Sequence, residues 1–122
     1  MWIADLIERM ASARSRAVFH IDLSSHGMRL RCSDSDIGTT DFAWDRVDEI
    51  RCYKVDCFAY DEICISFLVG NKRVECSEGM IGFSDLIHEI GAHFKGMPCD
   101  WYNTVMLPPF ETNERVLWRR ES

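Results

Sequence analysis

None of the six cysteines forms a C-x-x-C pair, and no stretch is long and apolar enough to cross a bilayer. Cys52 and Cys57 are five apart, as are His88 and His93, which misses the one-turn spacing of a helical metal pair. GxSxG, HExxH, a phosphate-cradling glycine loop and a calcium loop are all missing too. No metal, cofactor or catalytic centre is therefore expected. The opening "MWIADLIERM" carries Asp5 and Glu8, so it reads neither as a signal peptide nor as a membrane span. The expected compartment is the cytoplasm, where thiols stay reduced and act as small buried or half-buried packing groups. Basic excess is lacking as well. A net charge of -6 argues against nucleic acid and anionic membrane as partners, because both need a basic face.

What is present is a packable chain. Its 122 residues, 47% of them hydrophobic and four of them tryptophan, suit one domain over residues 1–122 with one core. Trp2, Ile3, Leu6, Ile7 and Met10 recur at helical spacing, which predicts a short N-terminal helix over 2–13. In "VFHIDLSSHGMRLRC", Phe19, Ile21 and Leu23 alternate with polar neighbours, and Met28, Leu30 and Cys32 do the same after the "SSHG" turn. That is a hairpin. After a polar loop, "DFAW" returns to extended chain, but Trp44, Val47 and Ile50 are three apart. This spacing predicts a tight turn that plugs the core with Trp44 before strand resumes near Ile50.

"DEICISFLVGNKRVEC" is the clearest hairpin. Gly70-Asn71 supplies a two-residue turn and sets Val69 opposite Lys72, Phe67 opposite Val74 and Ile65 opposite Cys76, all on one apolar face. Cys64, Ser66 and Leu68 share the other face. A helix follows, with Phe83, Leu86, Ile87, Ile90 and Phe94 as its buried stripe, Ser84 as expected N-cap and Gly96 as its end. His88 and His93 fall off the stripe and read as solvated. Pro108 and Pro109 exclude a central strand there, and Trp101, Tyr102, Phe110 and Trp118 read as anchors of a tail wrapped over the domain. The expected class is α+β, with an antiparallel sheet of five to seven strands and a helix after the last hairpin.

Charge placement supplies the candidate site. Between Asp41 and Glu62, seven acids face three bases, so -4 of the total -6 lies in this segment. Asp45, Asp48, Glu49, Asp56, Asp61 and Glu62 are the candidate contacts for a cationic protein partner, with Tyr53, Phe58 and Tyr60 interleaved as aromatic anchors. The competing reading is a solvated face with local ion pairs. A thiol-based activity at Cys57 or Cys99 is the enzymatic alternative, although neither has a base beside it in sequence.

"W-x-x-V-x-x-I" at 44–50, followed by hairpin and helix, resembles small bacterial domains of the pleckstrin-homology-like type. "YKVD", "DEICISF", "EGMIGF" and "W…PPFETNERVLW" are similar to a family of short bacterial proteins. The chain lacks the basic loop cluster of a phosphoinositide-binding domain. Small acidic domains of this kind look like immunity proteins. That resemblance implies a non-catalytic protein that binds and neutralises a toxin, often a basic nuclease, through an acidic surface. The alternative it implies is a structural adaptor or oligomer subunit that assembles through its sheet edge or tail.

Overall fold

The computed structural model describes residues 18–33, 38–56, 60–98, 100–102 and 114–121. The expected N-terminal helix at 2–13, together with Cys57, Phe58, Cys99, Pro108, Pro109 and Phe110, lies outside these residues.

Strands β1 (Phe19–Leu23) and β2 (Gly27–Cys32) form the first hairpin, and β3 (Thr39–Ala43) completes a three-stranded antiparallel sheet in the order β1-β2-β3. The register pairs Phe19 with Cys32, Ile21 with Leu30 and Leu23 with Met28, as alternation requires. Ser24 shapes the turn: its hydroxyl accepts the backbone N–H groups of His26 and Gly27, both at 3.2 Å. Gly27 must be glycine, because a Cβ there would sit 2.1 Å from the Phe42 carbonyl oxygen on β3.

A 3-10 turn at Trp44–Arg46 follows β3. Trp44, Val47 and Ile50 are all buried, so the three-residue spacing does mark one inward face. The Trp44 indole N–H donates to the Ser24 carbonyl at 3.0 Å, which satisfies its polar tip inside the core.

Strands β4 (Glu49–Asp56), β5 (Asp61–Val69), β6 (Lys72–Ser77) and β7 (Arg115–Arg119) form the second antiparallel sheet, in the order β6-β5-β4-β7. The expected single sheet is thus two, of three and four strands. β5 and β6 pair in the predicted register, and Gly70 takes the left-handed conformation at φ 64° that its turn requires. The tail is not only a wrapping. Its residues 115–119 form a strand that pairs with β4, with a register shift between Ile50 and Arg51. One extra residue on β7 lets sequence neighbours Leu117 and Trp118 both rest on the core.

Helix α1 (Phe83–His93) buries Phe83, Leu86 and Ile90, and Phe94 is buried just beyond it. Its N-cap is Gly82, not Ser84, and no side chain caps it. The reason is proximity. Gly82 adopts φ 98° against β1, where a Cβ would meet the Ile21 carbonyl oxygen at 2.6 Å. The preceding Ile81 accepts the Ile21 N–H (2.8 Å) and donates to the Phe19 carbonyl (3.0 Å), tying helix entry to the edge of the first sheet. One core cluster draws Ile21, Met28 and Phe42 from the first sheet, Ile50, Ile65 and Phe67 from the second, and Leu86 and Ile90 from α1. A second buried cluster, Tyr53, Val55 and Cys64, lies on the opposite face of the second sheet. Both faces of that sheet are therefore covered.

Candidate functional site

The six candidate acids fall into two groups at opposite ends of β4. Glu49 to Asp56 spans seven residue steps at about 3.3 Å each, or about 23 Å. They do not form one patch.

At the first end, Asp48 and Glu49 are tied into the fold. Asp48 accepts the Gly70 N–H at 3.0 Å and pairs with Arg120 at 3.3 Å, so it holds the β5–β6 turn against the tail. Glu49 is buried, with Arg51 Nε at 2.7 Å and Arg119 Nη2 at 2.7 Å from its carboxylate. The Arg51 hydrogen bond, reinforced by Arg119 and opposed by desolvation, holds the Glu49 carboxyl below the usual range. Asp45 is exposed, and Arg120 donates to its backbone carbonyl and to that of Val47. The open groove here is lined by Asp41, Asp45 and Asp48 together with Arg46, Lys72 and Arg120. Among the described residues acids and bases are equal in number there, so their charges balance.

The other end is different. Asp56 closes β4 opposite Asp61, the first residue of β5. Asp61 lies 3.5 Å from the ammonium of Lys54, whose side chain is 1% exposed. Glu62 is buried. Asp56 is exposed, and Tyr60, immediately before Asp61, is 52% exposed. Among the described residues, Asp56, Asp61 and Glu62 gather with Lys54 at this end, and the Tyr60 ring stands in solvent beside them. Of the other interleaved aromatics, Tyr53 is buried and belongs to the core.

Of the six candidate contacts, Glu49 and Glu62 are buried, whereas Asp45 and Asp56 are exposed. Two of the neutralising bases, Arg119 and Arg120, come from the tail, seventy or more residues along the chain. Only the pairing of β7 with β4 brings them in, and no local signal announces that.

Cys52, Cys64 and Cys76 are buried free thiols. Desolvation pushes Cys52 up to about 11 and raises Cys64 and Cys76 further, which is the reverse of an activated nucleophile. Among the described residues no three histidine, cysteine or carboxylate side chains converge as a metal site, and no helix is long and apolar enough to cross a membrane. His93, expected in solvent, is instead half-buried. It stacks on Trp44 with ring centroids 4.9 Å apart and hydrogen-bonds Glu89 at 2.9 Å.

Glu75 is a further buried carboxylate, on β6. The Gly70-Asn71 register places it opposite Ser66, on the face away from Val74 and Cys76, so its position was readable although its burial was not. No family model, curated protein or solved structure matches this chain.

Proposed function

We propose that the chain is a non-catalytic protein-binding module, acting as a bacterial immunity protein that binds and neutralises a toxin. One observation carries the reading: Tyr60 stands exposed at the β4–β5 end, where Asp56 is exposed opposite Asp61. A rigid aromatic flanked by acids fits the make-up of an interface hot spot, and the charge around it would steer a basic partner. The contact set narrows accordingly to Asp56, Tyr60 and Asp61. Asp45 remains at the charge-balanced groove, while Asp48 and Glu49 serve the fold.

The likeness to pleckstrin-homology domains belongs to the same proposal. Two antiparallel sheets around a common core with a helix against them support it, and a strand that follows the helix departs from the expected pattern. Affinity capture from the native cell with wild-type protein and with the Tyr60→Ala/Asp56→Lys variant tests the function. A basic protein retained by the wild type and lost by the variant is expected. An identical set retained by both overturns the assignment of this surface.

A second reading, an oligomer subunit assembling through the sheet edge, draws on β7 being outermost with Val116 exposed. A two-fold β7–β7 ladder centred on Leu117 would set Arg115 against Arg119, and like charges directly opposite are destabilising. The edge thus weighs against self-pairing.

A further inference from the structure

Glu75 occupies the middle of β6 and is 8% exposed. Its two carboxylate oxygens are each met by a hydroxyl: Tyr53 donates to Oε2 at 2.9 Å and Ser66 donates to Oε1 at 3.0 Å. Tyr53 stands on β4, Ser66 on β5 and Glu75 on β6, so one side chain ties three strands across the second face of the sheet. Among the described residues, the titratable and charged groups that interact with it are Tyr53 on β4, Cys64 on β5, Arg73 and Cys76 on β6 and Glu114 beside β7. Its direct partners are neutral hydroxyls, while Arg73 and Glu114 act on it only through their fields.

We propose that Glu75 is a proton-operated latch: the Tyr53–Glu75–Ser66 network grips the four-stranded sheet most firmly when Glu75 is protonated, and slackens as it ionises towards neutral pH. A carboxylate taken from water and given two hydroxyl donors recovers only part of its lost hydration. A protonated Glu75 has no charge to hydrate and can donate to Ser66, whose hydroxyl is free to rotate. Burial is the dominant cause of its shift, from 4.5 up to about 6, and the Tyr53 and Ser66 hydrogen bonds pull the other way. Because the folded value is the higher one, the stabilisation is fully present below 4.5 and is lost as pH rises through about 6. From well below 4.5 to well above 6 the folding constant falls by up to roughly thirtyfold.

The test is a denaturation series from mildly acid to neutral pH on wild type and Glu75→Gln, together with the carboxyl carbon NMR titration of Glu75. His20, His26, His88 and His93 are present in both proteins, so the difference between the two curves reports Glu75. The wild type should weaken relative to Glu75→Gln as pH rises, by up to that factor, with the carboxyl midpoint near 6. Tyr53→Phe removes a donor to the charged form and should move the midpoint higher still, a response that a merely structural tyrosine would not give. If Glu75→Gln fails to fold, the wild-type and Tyr53→Phe titrations decide. A midpoint in the ordinary glutamate range, or parallel curves for wild type and Glu75→Gln, would overturn the proposal.

Discussion

Glu49 and Arg119, seventy residues apart, are joined by a hydrogen bond of 2.8 Å from Arg119 Nε to Glu49 Oε1, and Arg51 holds the other carboxylate oxygen at 2.7 Å. The bond ties β7 to β4 on one face, while Leu117 and Trp118 rest on the core. β7 is thus integral to the sheet. Leu117→Ala should cost about 3 kcal/mol through the cavity it leaves. Glu49→Ala should cost less, about 1 kcal/mol, because the Arg51 and Arg119 guanidinium groups that lose their shared carboxylate still reach solvent. Chemical denaturation measures both. Deleting 110–122 should leave no cooperatively folded domain, as near-ultraviolet circular dichroism would report.

Two glycines at positive φ should respond differently to alanine. At Gly82 the added Cβ would press on the Ile21 carbonyl, whereas at Gly70 nothing lies within 4 Å. Gly70→Ala should cost about 1 kcal/mol, from backbone strain alone. Gly82→Ala should cost more than about 2 kcal/mol, since strain and collision add. Equal losses would contradict the close approach of helix entry to β1.

The described cysteines should separate in a thiol titration of the native protein. Cys32 is half-buried, whereas Cys52, Cys64 and Cys76 are buried with raised thiols. Modification mapped by mass spectrometry should find Cys32 labelled and the other three protected until denaturant is added.

Stability should also fall on strong acidification. Glu49 is held low first by Arg51, and Asp22 first by its hydrogen bond from Arg31. A depressed carboxyl contributes stability that is present above its unfolded value, near 4, and lost as pH falls through its folded one. Glu75 acts in the opposite direction at higher pH. Stability contributed by these carboxyls should therefore peak in mild acid. Asp22 is solvent-facing, so Glu49→Gln should flatten the acid limb more than Asp22→Asn.

The sequence was legible where neighbours decide structure. The Gly70-Asn71 turn and the apolar alternation around it dictate the β5–β6 register, and the spacing of Trp44, Val47 and Ile50 marks the turn. What escaped depends on distant partners. Ser84 has the chemistry of a cap, but the carbonyl of Ile21 sits where only Gly82 fits. Alternation assigned Cys64 and Ser66 to a second face without indicating that this face is buried too. The acidic segment looked uniform because Arg119 and Arg120 reach it only through β7, so Glu49 and Asp48 counted as surface when they are joints of the fold.

On the proposed function, binding runs through the β4–β5 end and not through the acids as a whole. Titrating the captured partner against wild type, Tyr60→Ala, Asp56→Lys and Asp45→Lys, at low and high salt, tests it most directly. Tyr60→Ala should weaken binding on the order of thirtyfold. Asp56→Lys should weaken binding and flatten its salt dependence, and Asp45→Lys should match the wild type. Full affinity in the first two variants, or the largest loss at Asp45, would contradict the account.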